Sequence, residues 1–84
     1  EDPALRRTWE DLTALQQRVL RAVAAGEEAL HSAEARERHA LGPSSSVTTA
    51  VEALISRAIL VREAGRVGFD NPFFREWGVR ELVG

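Results

Sequence analysis

A chain of 84 residues can form one domain with one modest core, in which about 60–65% of the unfolded surface becomes buried. Hydrophobic residues make up 44% of the sequence and charged residues 29%, with a net charge of −2, a balance too apolar for a disordered tail. Because the sequence has no cysteine, it excludes disulfides and thiolate metal sites.

The first third of the chain contains two predicted helices. Asp2 followed by Pro3 is a typical helix start, and it predicts a short helix over residues 2–10 that belongs to an upstream segment. Thr13 and Gln16 have the spacing of a capping box, and apolar residues then recur every three or four positions. Gly26 can adopt the left-handed conformation that ends a helix, so the first helix of the domain is predicted over residues 13–25.

Two more helices are predicted, separated by a turn of about four residues. Ser32 is the predicted cap of a short helix over residues 33–40, which Gly42 stops. Ser44 or Ser45 is predicted to cap a third helix that reaches Arg57. The length of the connection is typical of a helix-turn-helix. Apolar residues at helical spacing line one side of the third helix: Val47, Ala50, Val51, Leu54, Ile55 and Ala58.

The period of the pattern changes after residue 58. Residues 59–63 and 66–69 are short β-leaning runs on either side of Ala64 and Gly65. Gly65 supplies the positive φ that a tight hairpin needs. Leu30 is predicted to add a short third strand beside this hairpin.

A last helix of about ten residues is predicted to end the chain. Asp70 or Asn71 caps it, and Pro72 takes its first position. Phe73 and Trp77 are expected to lie in the core, because a domain this small has few other large apolar groups. If one of the two adjacent phenylalanines is exposed, it is the better candidate for docking on the parent protein.

The order helix, helix, turn, helix and hairpin is that of a winged helix-turn-helix. This fold class is mostly α with a small β-hairpin, a three-helix core plus a wing, here with short extra terminal helices. We expect residues 1–11 to be the end of an upstream linker or helix and residues 12–84 to form the domain with its C-terminal helix. A three-helix bundle with an unrelated hairpin is the structural alternative.

Two stretches of sequence resemble known winged helices. Residues 41–47 and 51–57 resemble the turn and third helix common to that class, in which many members have Gly where this chain has Ala58. Residues 69–77, FDNPFFREW, resemble the tail of the winged-helix domain found C-terminal to the ATPase core of prokaryotic AAA-type P-loop ATPases. The resemblance covers residues 12–80. It implies a non-catalytic regulatory and interaction domain whose partner is the ATPase core of its own chain or another protein. It also implies that ATP and Mg²⁺ are bound by that core and not by this segment.

The residues themselves predict no enzyme site. The sequence has no Lys, so it excludes the P-loop, which ends in Lys-Ser or Lys-Thr. The serines at 44–46 follow His39 closely, but capping explains a serine run at a helix start. His31 and His39 have no cysteine nearby and do not suggest a metal site, and His39 is expected to pack at a helix end. We therefore predict no catalytic, cofactor-binding or metal-binding residue.

The sequence also gives an expectation for the cellular location of the chain. No apolar run approaches the roughly 18 residues of a membrane span, and nothing matches a signal peptide, so we expect a cytoplasmic location without membrane contact. The absence of Met suggests a segment of a longer protein.

DNA binding of the transcriptional-regulator type is the alternative function. In winged helices the third helix often lies in the major groove, and cations must meet the phosphates. Residues 44–56 of the predicted third helix contain one acid, Glu52, and no basic residue, and residues 29–58 and 59–84 are each neutral. DNA is therefore not the favoured partner. The residues that would contact nucleic acid or a protein partner are Ser45, Ser46, Thr48, Thr49, Glu52, Arg57, Arg62 and Arg66.

The surface arginines have two interpretations. Arg36 and Arg38 of the second helix, together with Arg57 and the two arginines of the wing, would have to steer DNA towards the third helix. Alternatively, these side chains are solvated and paired with acids of the same region. The acids expected to pair with them are Glu34, Glu37 and Glu63.

Overall fold

The computed structural model describes residues 3–83. Its order of elements confirms the mostly helical winged helix-turn-helix predicted from the sequence. Among the described residues, no helix combines the length and the apolar character needed to cross a membrane. The elements are α1 (Pro3–Glu10), α2 (Ala14–Ala24), α3 (Ala33–Arg38), α4 (Ser44–Ser56), β1 (Leu60–Glu63), β2 (Arg66–Phe69), α5 (Pro72–Gly78) and a terminal π-helical turn (Val79–Val83).

The ends of α2 are fixed by local hydrogen bonds, as predicted. The Thr13 hydroxyl accepts a hydrogen bond from the Gln16 N–H at 3.1 Å, and the Thr13 N–H donates to Gln16 Oε1 at 3.1 Å. At the other end Gly26 has a φ of +91°, and the Glu27 N–H donates to the Ala22 carbonyl at 3.0 Å. This pattern is a Schellman cap, which reverses the chain directly after α2.

The predicted second helix, α3, is shorter than the sequence suggested. Ser32 caps it as predicted, because its hydroxyl accepts a hydrogen bond from the Ala35 N–H at 3.1 Å. The helix ends at Arg38 and not at residue 40, since Ala40 has a φ of +55° and cannot continue a right-handed helix. Leu41, directly after this reversal, is buried.

The prediction that Ser44 or Ser45 caps α4 is wrong. Pro43 is the N-cap residue, and no side chain makes a capping hydrogen bond there. The Ser44 hydroxyl instead lies 2.7 Å from His31 Nδ1. The fold brings the α2–α3 connection beside the start of α4, so this hydroxyl has a partner distant in sequence.

Ala58 follows α4 in a conformation that favours glycine. Its φ is +60°, and the Ile59 N–H donates to the Leu54 carbonyl at 3.0 Å. A residue with a Cβ in this left-handed region costs about 1 kcal/mol relative to glycine. The α4 terminus therefore holds a small amount of backbone strain.

We expect Ala58→Gly to raise the free energy of unfolding by up to about 0.6 kcal/mol, since the relieved strain of about 1 kcal/mol is partly offset by the roughly 0.4–1 kcal/mol of entropy that glycine adds to the unfolded chain. The matched control is Ala53→Gly inside α4, which should lower stability by about 1 kcal/mol. Urea unfolding of both variants measures the two effects. A loss of stability in Ala58→Gly would contradict the strain.

The two strands form the wing. They pair antiparallel, with Leu60 opposite Phe69. Both loop residues have positive φ, +52° for Ala64 and +77° for Gly65, as a type I′ turn requires. The predicted hairpin is therefore confirmed, including the role of Gly65.

The predicted third strand at Leu30 is wrong. Leu30 is buried, but it lies in a turn, and the sheet within residues 3–83 has two strands. The Ser32 N–H donates to the Ala29 carbonyl at 3.0 Å, so the chain turns here into the cap of α3 and does not extend beside the hairpin.

Aromatic side chains join α1 to α5. The rings of Trp9 and Trp77 lie 6.2 Å apart, and Phe74 meets Trp77 edge to face at 5.5 Å. All three side chains are buried, and Phe69 of the wing stacks on Phe74 at 5.8 Å. The remainder of the core comes from α2, α4 and the segments that flank them: Leu12, Val19, Leu20, Ala22, Leu30, Leu41, Val47, Ala50, Val51, Leu54, Ile59 and Leu60.

The predicted boundary between an upstream segment that ends at residue 11 and a domain that starts at residue 12 stays a prediction.

The expectation that Phe73 lies in the core is wrong, whereas the expectation for Trp77 is confirmed. Phe73 is 73% exposed, and Phe74 is 3% exposed. The inward face of α5 is formed by Phe74, Trp77 and Gly78, which are all buried. This orientation of the helix leaves Phe73 just outside the core.

Candidate interaction surfaces on α4, the wing and α5

The outer face of α4 is polar and uncharged along most of its length. Ser45, Thr48, Thr49 and Glu52 are exposed at helical spacing, and Ser46 is half-buried beside them. The two threonine hydroxyls donate to the carbonyls four residues earlier, at 3.2 and 3.1 Å. Both residues are exposed, and each hydroxyl oxygen keeps acceptor capacity, so this face offers hydrogen bonds without a positive charge.

The charges nearest this face are largely compensated. Arg62 of the wing donates to the Glu52 carboxylate at 3.1 Å, and Arg66 lies 2.9 Å from the carboxylate of Glu28 in the α2–α3 connection. Within residues 3–83, Arg57 makes no ion pair. The structure therefore joins Arg62 to the outer face of α4, pairs Arg66 elsewhere, and leaves Arg57 without an ion pair among the described residues.

The arginines of α3 are engaged by other parts of the fold. Arg38 pairs with Glu27, which follows α2 in the chain, and His39 Nε2 lies 3.1 Å from the same carboxylate. Arg36 donates to the carbonyls of His31 at 3.1 Å and Gly42 at 3.4 Å. The expected partners Glu34, Glu37 and Glu63 are wrong, since tertiary packing brings Glu27, Glu28 and Glu52 to the arginines instead.

Glu27 is the acid whose titration the fold perturbs. The hydrogen bond from Arg38 holds the pKa of its carboxyl below the ordinary value of 4.5. Burial of the carboxyl acts in the opposite direction, and the hydrogen bond with His39 adds to the lowering. The carboxylate thus ties the end of α3 to the α2–α3 connection in its ionised form.

This lowered pKa predicts a contribution to stability that depends on pH. Because the folded-state pKa lies below the unfolded one, the contribution is complete above about pH 4.5 and is lost as the pH falls through the folded-state pKa. Glu27→Gln should therefore be less stable than the parent at neutral pH and equally stable in acid. Urea unfolding at several pH values tests this. In an Arg38→Ala background Glu27→Gln should have a smaller effect on stability. An effect of the same size in that background would contradict the role of Arg38 in lowering the Glu27 pKa.

A groove lies between α1 and α5. Its lining residues are Leu5, Phe73, Glu76, Trp77 and Arg80. Phe73 projects from its edge, and the buried indole N–H of Trp77 has no acceptor within the described chain. The sequence did not reveal this groove, since α1 was assigned to an upstream segment. The four-residue spacing of Leu5 and Trp9 was the one available signal that α1 packs on the domain.

The histidines and serines do not form a recognisable catalytic arrangement. Ser44 contacts His31 and not His39, and both partners are exposed. Within residues 3–83 no carboxylate hydrogen-bonds to His31, so the pair lacks the orienting acid of a triad. The same residues contain no group of three or more His, Cys, Asp or Glu that could hold a metal ion.

Comparison with known proteins gives one finding. A family model described as a probable winged helix domain matches residues 3–80, nearly the whole chain and including α1. The chain has no significant match among curated proteins or among solved structures.

Proposed function

The chain belongs to the family of probable winged helix domains, and from this premise we propose that it is a non-catalytic interaction and regulatory module of a prokaryotic, cytoplasmic P-loop AAA-type ATPase. Its partner is the ATPase core of its own chain or another protein. The observation that favours this role over DNA binding is the ion pair of Arg62 with Glu52, which compensates a charge of the wing with a charge of α4. The resemblance of residues 69–77 supports the ATPase part.

The ion pair of Arg62 with Glu52 lowers the expected affinity for DNA, because that affinity depends on cations that neutralise phosphates. Each phosphate contact made by a cation contributes about one tenfold step in affinity near 50 mM salt, through release of bound counterions. Arg62 would have to leave Glu52 to make such a contact, and the Glu52 carboxylate would then face the phosphates unpaired. Breaking an exposed ion pair costs only about 0–1 kcal/mol. The larger cost to DNA binding is therefore the repulsion between the unpaired Glu52 carboxylate and the phosphates.

DNA binding remains the second candidate, and one observation favours it. Thr48 and Thr49 are exposed hydroxyl residues on the helix that enters the major groove in many winged helices, and Arg57 lies at the end of the same helix. This geometry suits base contacts. These contacts without further cations would contribute little to the affinity for DNA, because phosphate neutralisation supplies most of it.

Fluorescence anisotropy with a labelled random-sequence duplex separates the two candidates. The chain is expected to bind with a Kd weaker than about 100 µM at 150 mM salt, at the weak end of non-specific binding. Submicromolar binding that falls steeply between 50 and 200 mM salt would assign the domain to DNA. In that case Arg62→Ala and Arg66→Ala should each reduce the slope of log Kd against log salt by about 1, the loss of one phosphate contact.

The ATPase part has its own test. We expect the gene that encodes this chain to encode a Gly-rich P-loop ending in Lys-Ser or Lys-Thr. We also expect deletion of residues 3–83 from the encoded protein to change ATP turnover at least about twofold. A gene without a P-loop, or turnover that is indifferent to the deletion, would overturn the ATPase assignment.

A further inference from the structure

We draw no further inference here: the strongest candidate, the exposed Phe73 beside the groove between α1 and α5, carries none because nothing in the structure shows what covers it.

Discussion

Phe74→Ala is expected to lower the free energy of unfolding by about 3–5 kcal/mol, whereas Phe73→Ala, one residue earlier, should change it by less than about 0.5 kcal/mol. The same atoms are removed in both variants, so the difference reports only their surroundings. Phe74 is buried between Phe69, at 5.8 Å, and Trp77, at 5.5 Å. Truncating it leaves a cavity at the point where the wing, α2 and α5 meet.

Urea unfolding followed by circular dichroism measures both effects, at a few micromolar protein so that association does not contribute. A domain of this size has a total stability of only about 4–12 kcal/mol, so Phe74→Ala removes a large part of it. Phe74→Leu, with an expected loss of about 1 kcal/mol, gives the same comparison in a folded protein. Equal losses at positions 73 and 74 would contradict the orientation of α5.

Features set by a few adjacent residues were predictable from the sequence. The Thr13 capping box, the Gly26 helix end and the Ala64–Gly65 hairpin turn each depend on local geometry, and the structure confirms all three. The left-handed φ of Ala58 was suggested by comparison with winged helices that have glycine there. Such signals need no knowledge of what packs against them.

Features set by tertiary packing were not predictable in the same way. Phe73 and Trp77 are four residues apart, so periodicity placed both on one face. In the structure Phe74, which stacks on Phe69 of the wing, shares the buried face with Trp77, and Phe73 lies outside it. Leu30 has the apolar side chain of a strand residue, and a turn holds it in the core instead.

In the candidate surfaces, too, some features follow from local sequence and others only from tertiary packing. The exposed face of α4 follows from helical spacing, and its lack of basic residues is evident in the sequence. The ion pairs that compensate Arg62 and Arg66 join residues ten or more positions apart, so only the fold reveals them. The groove between α1 and α5 joins the two ends of the chain, which no local pattern connects.

Glu52→Arg is expected to raise the affinity for a random-sequence DNA duplex by about one to two tenfold steps at 50 mM salt. The substitution removes the acid from the outer face of α4 and frees Arg62 from its ion pair. It also adds a cation where a groove-bound helix would meet the phosphates. Two new phosphate contacts should steepen the dependence of log Kd on log salt by about 1.8. Anisotropy titrations between 50 and 200 mM salt give both quantities.

The control separates local geometry from total charge. Glu10→Arg makes the same change in net charge, from −2 to 0, on the exposed surface of α1, away from α4 and the wing. It should raise DNA affinity by less than about threefold, because charges beyond a Debye length of about 10 Å are screened. Equal gains at both positions would mean that overall charge alone limits binding. No gain at position 52 would mean that the α4 and wing surface does not fit a duplex.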